Sequence, residues 1–347
     1  MLRKLNLTNF RNYAHLDLSF DERPTVLVGN NATGKSNLLE AIYLLSTGKS
    51  QRVSEEIELI KQGEEAVRVE GFLEDTTLEV IGQSVDGQFT KRVKVNGIPR
   101  RVVDLIGNLP AIIFYPSDIN MITGSPSLRR WHLDLSLAQI DPEYKKSLTL
   151  YEQVLTNRNR VLKRIREDLG KSGELRYWTD ELIKHGDTLS VARAAFLEFL
   201  SNLETPLGSF RFLYLKNELS DERLNQYQAR EIAAATTLVG PHRDDFQILL
   251  DERNIARFGS RGEQRTATLA FKLGALEYMA LSLGKRPILL LDDVFSELDA
   301  NHRAHVVEIV GKQQTIIATV ELENIPKEFL NSARILRVEE GVIKESS

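Results

Sequence analysis

The chain has 347 residues, 42% of them hydrophobic and 27% charged, which is the ordinary balance of a soluble globular protein with room for two domains. It contains no cysteine, which excludes disulfides, thiolate catalysis and every cysteine-ligated metal site. A formal net charge of −4 argues against a constitutive, strongly basic nucleic-acid binder but leaves a local basic surface open. No apolar signal segment and no run of about 18 apolar residues is found, so we expect a cytoplasmic protein without membrane contact.

The N-terminal third predicts strands with one helix among them. Apolar residues alternate with polar ones at 5–7 and again at 16–20, which is the pattern of half-buried strands, and residues 9–13 are predicted to turn between them. A short apolar strand is predicted at 25–28, and apolar residues at helical spacing predict a helix over 35–48. Strand alternation returns over 67–101, with a hairpin turn at 96–97 where the sequence is Asn-Gly.

The middle third changes to a helical period. Apolar residues step by three, four or seven over 144–169 and again over 175–199. A four-residue segment with a glycine at each end, 170–173, separates the two runs. Two helices joined in this way should pack antiparallel as a short coiled-coil-like hairpin. The alternative is a helical hairpin buried in a larger domain.

The last third returns to mixed α/β structure. Alternation over 246–250 predicts a strand, and spacing over 266–283 predicts a helix. Continuous apolar runs at 288–291 and 315–318 are typical of parallel strands buried on both faces.

These changes of period define the predicted domains. Both ends are α/β, so the economical arrangement is one α/β head built from residues 1–120 and 236–347. A mainly helical arm domain, residues 121–235, is then inserted into the head, with its antiparallel hairpin near 144–200. The sequence contains no internal repeat and no low-complexity linker.

The segment GNNATGKS, 29–36, fits the phosphate-binding pattern G-x-x-x-x-G-K-[ST] in every fixed position. It follows a predicted strand and opens a predicted helix, where backbone N–H groups and the helix N-terminus favour a bound anion. Lys35 would neutralise the β- and γ-phosphates, and the Ser36 hydroxyl would hold Mg²⁺. The candidate nucleotide-binding residues are Gly29, Asn30, Asn31, Ala32, Thr33, Gly34, Lys35, Ser36 and Asn37.

A second acidic motif, ILLLDD at 288–293, resembles a Walker B strand. Its apolar residues would deliver an acid to the carboxyl edge of the sheet, where open α/β sheets bind ligands. We predict that Asp292 binds Mg²⁺ and that Asp293 orients the attacking water, so Asp293, Asp292 and Lys35 are the candidate catalytic residues. An ordinary strand ending in solvated aspartates is the alternative.

The separation of the two motifs is informative. Lys35 and Asp292 are 257 positions apart, which points to the heads of ABC-type ATPases rather than to small GTPases. Such heads carry a signature segment at the start of a helix before Walker B, and 260–264 reads S-x-G-x-Q there. Ser260, Gly262 and Gln264 are therefore candidate nucleotide contacts, with a glycine-rich helix cap as the alternative. The segment 296–299 matches the D-loop of the same class.

Together these motifs are similar to those of the RecF family, bacterial recombination and repair ATPases related to the SMC proteins. The resemblance spans essentially the whole chain. It is carried by LTNFRNY (7–13), GNNATGKSN (29–37), FYPSD (114–118), GSPSLRRWHLD (124–134), LVGPHRDD (238–245), GSRGEQRT (259–266) and LLLDDVFSELD (289–299).

The resemblance implies an α/β, ABC-type ATPase head with a short helical arm, ATP and Mg²⁺ as cofactors, and an ATP-dependent homodimer. It implies DNA binding without sequence specificity, at gaps and single-strand/double-strand junctions, and work with recombination mediator proteins. It further implies roles in replication-fork recovery and the SOS response, and a weak, DNA-stimulated ATPase. Arg11 and Asn12, in the turn NFRNY, would then contact phosphate or adenine; a solvated hairpin arginine is the alternative.

Two departures from the ABC pattern suggest slow hydrolysis, with ATP as a switch. Asp293 stands where these heads usually have glutamate, and 315–321 holds no histidine after the strand that follows the D-loop.

A basic run and three histidines are further candidate binding groups. The basic run from Arg158 to Arg166 would either contact DNA phosphates or form a solvated face. His302 and His305, three positions apart, are interpreted as surface histidines, and His242 as part of a structured loop near the nucleotide.

Two functions from other classes remain as alternatives. A transporter's nucleotide-binding subunit would co-purify with membranes and disagrees with the predicted arm. A small-molecule phosphotransferase would leave the signature segment unexplained.

Overall fold

A computed structural model describes residues 1–298 and 300–345. The chain divides into two compact units, one formed by Met1–Asp118 with Ala275–Ser347 and the other by Ile119–Gly274. Both termini thus contribute to the first unit.

The elements follow in chain order. Residues up to 118 form β1 (Lys4–Phe10), β2 (Tyr13–Ser19), β3 (Thr25–Val28), α1 (Lys35–Thr47), β4 (Ala66–Phe72), β5 (Thr77–Val85), β6 (Gln88–Val95), β7 (Ile98–Arg100), α2 (Val102–Leu105) and β8 (Ala111–Phe114). The second unit begins with α3 (Asn120–Thr123), α4 (Pro126–Ala138), α5 (Pro142–Arg166), α6 (Leu175–Asn202), β9 (Phe210–Leu215) and α7 (Asp221–Ala234). Next come β10 (Asp245–Leu250), β11 (Arg253–Asn254), α8 (Ile255–Phe258) and α9 (Arg261–Leu283). The chain continues through β12 (Ile288–Asp292), α10 (Ala300–Val310), β13 (Thr315–Thr319), α11 (Lys327–Ser332), β14 (Arg334–Glu339) and β15 (Val342–Glu345).

The first unit contains two six-stranded sheets with α1 packed against strands of both. One sheet, in the order β2-β1-β4-β5-β6-β7, is antiparallel throughout. The other has the order β15-β14-β3-β13-β12-β8, and all its neighbours are parallel except the edge pair β14-β15. Every residue of β12 and β13 is buried, as the continuous apolar runs at 288–291 and 315–318 predict, and every residue of β8, which the sequence analysis did not single out, is buried too.

The parallel sheet places the two phosphate-binding motifs at one edge. β13 pairs in parallel with β3 on one side and with β12 on the other. The carboxyl ends of β3 and β12 therefore face the same way, although Lys35 and Asp292 are far apart in sequence. This topology brings the loop after β3 together with Asp292, the last residue of β12, and Asp293, which follows it.

The second unit contains the helical hairpin and the three-stranded sheet β11-β10-β9. Tyr144, near the start of α5, bonds to Arg193 near the end of α6, whereas Arg158, late in α5, bonds to Thr179, early in α6. The two helices are therefore antiparallel. Helix α5 starts two residues before the predicted 144 and ends three residues before the predicted 169, and α6 ends three residues after the predicted 199.

The second unit extends further along the chain than the sequence analysis expected. The predicted arm ended at residue 235, whereas the compact unit ends at Gly274. β10 pairs along its length with β9, and Phe271 of α9 stacks on Phe246 of β10 and contacts Phe196 of α6. These long-range contacts tie residues 236–274 to the helices.

The basic run of α5 is not a continuous solvated face, which corrects that interpretation. Arg158 is 2% exposed and donates to Glu231 Oε2 at 2.7 Å and to Thr237 Oγ1 at 2.8 Å. The remaining cations of the run are exposed and lie near polar partners on the same surface: Arg160 near Asn157, Lys163 and Arg166 near Glu167, and Arg164 near Glu174.

We expect Arg158→Met to lower the free energy of unfolding by about 3–5 kcal/mol, because it leaves the buried carboxylate of Glu231 without its counter-charge. Arg160→Met, which changes an exposed arginine of the same helix, should stay within about 0.5 kcal/mol of the unchanged protein. Urea unfolding followed by circular dichroism compares the two. Equal midpoints for both variants would show that the buried pair does not stabilise the unit.

Candidate nucleotide-binding site

The loop between β3 and α1 has the backbone that its glycines predict. Gly34 lies in the left-handed region at φ +119°, and a Cβ there would lie 2.7 Å from Asn12 Nδ2. A side chain at this position would therefore be strained and would clash. Helix α1 begins at Lys35, so the first N–H groups of the helix face the end of the loop.

Lys35 lies inside the loop. Its Nζ donates to the carbonyl oxygens of Gly29 and Asn30, at 2.7 Å each. The residue is 7% exposed, and burial lowers its pKa while Asp292 and Asp293 oppose that shift. A bound anion beside Nζ would favour the charged ammonium, so this position suits a phosphate.

Ser36 and Asp292 meet across the sheet edge. Ser36 Oγ donates to Asp292 Oδ1 at 2.7 Å. Burial raises the pKa of Asp292, and the hydrogen bond from Ser36 partly offsets this effect. A buried carboxylate beside a hydroxyl is a pair of hard oxygen ligands, which fits Mg²⁺. No cluster of three or more histidine, aspartate or glutamate side chains suited to a metal occurs in the described ranges, so phosphate and water oxygens would complete the coordination.

One cavity of about 260 Å³ collects the candidate groups of both motifs. Its lining consists of Asn31, Ala32, Gly34, Lys35, Ser36, Asn37, Arg52, Pro116, Asp292, Asp293 and Val320. The sequence motifs thus meet in one site of the first unit.

Asp293 has an unusual backbone conformation. Its φ is +51°, in the left-handed region, and its N–H donates to the Ala318 carbonyl at 2.8 Å. Aspartate and asparagine tolerate this region better than longer side chains, because their short polar groups bond locally. The backbone therefore gives a physical reason for the short acid where ABC heads usually have glutamate.

The turn between β1 and β2 supports the loop from outside. Asn12 Nδ2 donates to the Thr33 carbonyl at 2.8 Å, and Tyr13 Oη donates to the Gly34 carbonyl at 3.0 Å. Asn37 Nδ2 donates to Asn12 Oδ1 at 2.8 Å. Asn12 is thus engaged with the phosphate-binding loop itself, which makes it a positioning residue.

Arg11 is engaged in a buried ion-pair network rather than pointing free into the cavity. Its Nε and one terminal nitrogen donate to the Glu40 carboxylate at 3.1 and 3.0 Å, and the other donates to the Glu58 carbonyl at 3.0 Å. Arg52 donates to Glu40 at 3.0 Å and to Asn37 at 2.8 Å, and it lines the cavity. Sequence reasoning missed Arg52 and Glu40, which belong to no motif.

The signature segment is a capped helix start in the second unit. Ser260 N–H donates to Glu263 Oε2 at 2.7 Å, and Glu263 N–H donates to Ser260 Oγ at 3.2 Å, which is a capping box. Hydrogen bonds from the Ser260 backbone N–H, from Arg253 and from the Ser260 side chain lower the pKa of Glu263, so the Ser260 hydroxyl is engaged within its own helix start. The box also explains why α9 starts at Arg261, earlier than the predicted residue 266.

Gly262 and Gln264 occupy opposite environments in this first turn. Gly262 is exposed, and a Cβ there would meet nothing closer than Ser260 Oγ at 3.9 Å. The side chain of Gln264 is buried and its Nε2 donates to the carbonyls of Ile255 and Gly259, each at 3.3 Å. Gln264 therefore holds the turn together, which corrects its interpretation as a nucleotide contact.

The D-loop match and the two predicted surface histidines lie partly or wholly outside the described residues. Ser296 Oγ donates to the Asp293 carbonyl at 2.7 Å, but Asp299, at the end of the D-loop match, lies outside the described residues. The side chains of His302 and His305 also lie outside what the structure describes.

His242 belongs to the second unit, where its Nδ1 is 2.7 Å from Tyr151 Oη and its Nε2 is 3.1 Å from the Thr237 carbonyl oxygen. Burial lowers the pKa of His242 to about 4, so it is neutral at pH 7. Its contacts are those of a group that anchors the loop containing it.

Comparison with known proteins identifies the family. A family model described as the RecF/RecN/SMC N terminal domain matches residues 1–344. The curated protein "DNA replication and repair protein RecF" of Oceanobacillus iheyensis is 36% identical over 366 residues and covers 99% of each chain. The chain belongs to the RecF family. The protein of the same name from Bacillus cytotoxicus is 35% identical over 367 residues, with 99% of this chain and 98% of the relative covered.

Solved structures of the RecF family agree in fold. A structure described as the recombination mediator protein RecF-ATP in the RecFOR pathway has a TM-score of 0.88 at 33% identity, over 100% of this chain and 97% of that one. A second, of RecF-ATPrS, has a TM-score of 0.87 at 32% identity, covering 100% and 98%. The predicted fold class, an α/β ABC-type ATPase head, is confirmed, and the transporter subunit is not favoured. In the ranges described, no helix combines the length and apolar character that crossing a bilayer requires.

Proposed function

We propose that this RecF-family protein is an ATP-controlled DNA replication and repair protein whose nucleotide lies in the cavity after β3. The observation that carries the proposal is the meeting of Lys35, Ser36 and Asp292 at one sheet edge, with Ser36 Oγ 2.7 Å from Asp292 Oδ1. These groups provide a cation for phosphate and two oxygens for a magnesium ion.

Each group has a distinct role in the proposed ATPase. Lys35 and the N–H groups at the start of α1 bind the phosphates. Ser36 and Asp292 hold Mg²⁺, which when bound neutralises charge on the phosphate oxygens. Asp293, on the same cavity, orients the attacking water. Asn12 and the Arg11–Glu40–Arg52 network hold the loop and α1 in place.

Among the described residues that line the cavity, Lys35 and Arg52 are the cations, and the proposed site needs further donors to close around the γ-phosphate. We therefore propose that ATP is held between two copies of the chain, with the Ser260 hydroxyl and the Gly262 N–H of the second copy facing the phosphate. The open space around Gly262 supports this proposal, because within the described residues a Cβ there would meet nothing closer than Ser260 Oγ at 3.9 Å. Glycine in a helical turn costs about 1 kcal/mol relative to alanine, so its presence is better explained by an approaching ligand.

The proposed consequence of this arrangement is a switch. ATP joins two copies, the joined pair binds DNA at gaps or junctions in the cytoplasm, and slow hydrolysis releases it. Recombination mediator proteins are the proposed partners, since relatives of high coverage are described as acting in the RecFOR pathway.

DNA binding tests the proposed function. We expect ATP with Mg²⁺ to tighten binding to a gapped duplex at least about tenfold, because pairing two copies multiplies the phosphate contacts. Affinity should fall linearly with the logarithm of salt concentration. Fluorescence anisotropy with and without ATP, over a series of salt concentrations, measures the effect of ATP and the salt dependence of DNA affinity. The control is Lys35→Ala, which is expected to bind ATP poorly and so to show no ATP effect. Equal affinity in both nucleotide conditions would contradict the switch.

A further inference from the structure

A cavity of about 530 Å³, here called the arm pocket, opens between α5 and α6 in the second unit. Its described lining residues belong to these two helices, from Glu143 to Asn157 on one side and from Tyr177 to Thr188 on the other. Its volume is within the range of about 300–1,000 Å³ that is usual for small-molecule sites. Among the described residues, none lines both the arm pocket and the nucleotide cavity, so the arm pocket is a separate candidate site.

Two adjacent aromatic side chains form one wall of the arm pocket. Trp178 is half-buried and packs inward against the apolar cluster of Val161, Leu162 and Leu175. Its neighbour Tyr177 is 63% exposed, and the two rings meet edge to face with their centroids 5.1 Å apart. The packing against the cluster fixes the indole, and the part of the indole that lines the pocket is a surface on which a flat ring can stack.

Polar groups without protein partners also line the arm pocket. Ser147 is 5% exposed, and its hydroxyl has no hydrogen-bond partner among the described residues. A buried hydroxyl left unpaired is costly, so its position favours a ligand with a hydrogen-bonding edge. Asn157 accepts a hydrogen bond from Arg160 at 3.2 Å through its carbonyl oxygen, which leaves its NH₂ group as a donor to the pocket. Gln153 adds a second, exposed amide.

The charged side chains of the arm pocket balance one another. Lys146 and Lys184 are its lysines, and Glu143 and Glu181 are its acids. Glu181 lies 3.4 Å from both Lys184 Nζ and the Nε2 atom of the buried His185, so its carboxylate has partners within the pocket. The interior therefore suits an uncharged group, because a charged one would be desolvated without a net counter-charge. Lys146 is exposed and has no partner among the described residues, which leaves one cation for a group outside the interior.

We propose that the arm pocket takes an unpaired base of single-stranded DNA. A nucleobase is flat, uncharged and edged with hydrogen-bonding groups, which matches the aromatic wall, the balanced charge and the free polar groups. The base stacks on Trp178, its edge bonds to Ser147 and to the amides, and Lys146 contacts the phosphate beside it.

The same fit explains how a gap would differ from continuous duplex. A base inside a duplex is stacked and paired, and it cannot enter a pocket unless it is first extruded from the helix. The arm pocket therefore selects a strand that is already single. This proposal rests on the proposed DNA-binding function and adds the site that reads the unpaired nucleotides.

Tryptophan fluorescence tests the stacking directly, because the chain contains two tryptophans, Trp131 and Trp178. In a Trp131→Phe variant, the emission of Trp178 should be quenched when oligo(dT) of about 15 nucleotides is added. The same oligonucleotide should leave the emission of Trp131 unchanged in the matched Trp178→Phe variant. A blunt duplex of equal length should quench neither residue.

Affinity measurements show what the stack contributes. Trp178→Leu keeps an apolar side chain against the cluster but removes the stacking surface, so it should bind the oligonucleotide about tenfold or more weakly. Trp131→Leu, the same change at the other tryptophan, is the control and should bind as the unchanged protein does. Lys146→Ala should lower the slope of log affinity against log salt by about one, whereas Lys216→Ala, at an exposed lysine outside the pocket, should not. Fluorescence anisotropy measures the affinities, and melting temperatures show whether each variant is folded.

The outcomes separate the arm pocket from the proposed function. Equal oligonucleotide affinities for Trp178→Leu and Trp131→Leu, or a Trp178 emission that the oligonucleotide does not change, would overturn the base site. Duplex binding that ATP tightens would then still support the DNA function. Quenching of Trp178 by a phenylalanine-containing peptide but not by the oligonucleotide would assign the pocket to a protein partner and overturn the base site as well. An unchanged protein that binds no DNA, with or without ATP, would overturn both proposals.

Discussion

Lys35→Ala is expected to weaken ATP binding at least about 100-fold while leaving the fold intact. The ammonium group of Lys35 lies inside the phosphate-binding loop. Its Nζ is 2.7 Å from each of two loop carbonyl oxygens, those of Gly29 and Asn30. Charge-assisted hydrogen bonds contribute about 1.5–3 kcal/mol each, and two such bonds to phosphate correspond to 100-fold or more in affinity. The two carbonyl contacts that are lost can be replaced by water in this open cavity.

Isothermal titration calorimetry with ATP and Mg²⁺ measures the effect. Lys327→Ala, which removes an exposed lysine of the same unit, is the control for lost charge. Circular dichroism and the melting temperature show whether the fold survives. An ATP affinity for Lys35→Ala equal to that of the Lys327→Ala control would mean that residues 29–36 do not form the nucleotide site.

The sequence predicted those parts of the fold in which local pattern and burial agree. The alternating strands, the helix from Lys35 and the apolar run before Asp292 all appear as expected, because the spacing of their apolar residues matches the faces that the fold buries. The two motifs of the candidate site were identified for the same reason. Their backbone geometry follows from a few glycines and from the order of parallel strands.

The features that were missed depend on partners distant in sequence. Arg158 lies in a basic run and looks solvated, but Glu231, 73 positions later, makes it a buried ion pair. Arg11 looks like a free turn residue until Glu40 is placed against it. The limit of the second unit at Gly274 likewise depends on which strands pair, and the hydrophobic pattern does not encode that choice.

Gln264 and Asp293 show a second limit of prediction from sequence. The sequence gives the chemical group of each residue, but it does not give the orientation of the side chain or the backbone conformation. The motif gives Gln264 an amide suited to a nucleotide, whereas the helix start turns that amide inward to two carbonyls. Asp293 was recognised as a short acid, but the left-handed backbone that favours it is a tertiary property.

Ser260→Arg and Asp293→Asn should fail in opposite ways if ATP is held between two copies. Ser260→Arg removes a donor and fills the space that the phosphate of the other copy would enter, so dimerisation and turnover should both be lost. Removal of one positioned donor to developing phosphate charge costs about 10²–10³ in rate even without a steric block. ATP binding by the monomer should be unchanged, because Ser260 is not part of the cavity that holds Lys35.

Asp293→Asn should instead keep the dimer and trap it. Asparagine accepts the left-handed backbone at φ +51° as well as aspartate does, so Asp292, Ser36 and Lys35 keep their positions. The carboxylate that orients the attacking water is gone, and such a group typically contributes about 10²–10⁴ in rate. ATP would therefore remain bound and the two copies joined.

Sedimentation velocity and a phosphate-release assay, each over a range of protein concentrations, test both variants together. The unchanged protein should show a specific activity that rises with its own concentration, because the complete site needs two molecules. The loss of the helix cap in Ser260→Arg is expected to cost about 1 kcal/mol, so its melting temperature is measured in parallel. Normal ATP-induced dimers of Ser260→Arg, or a specific activity independent of protein concentration, would refute the two-copy site, since a site complete within one chain needs no second signature segment.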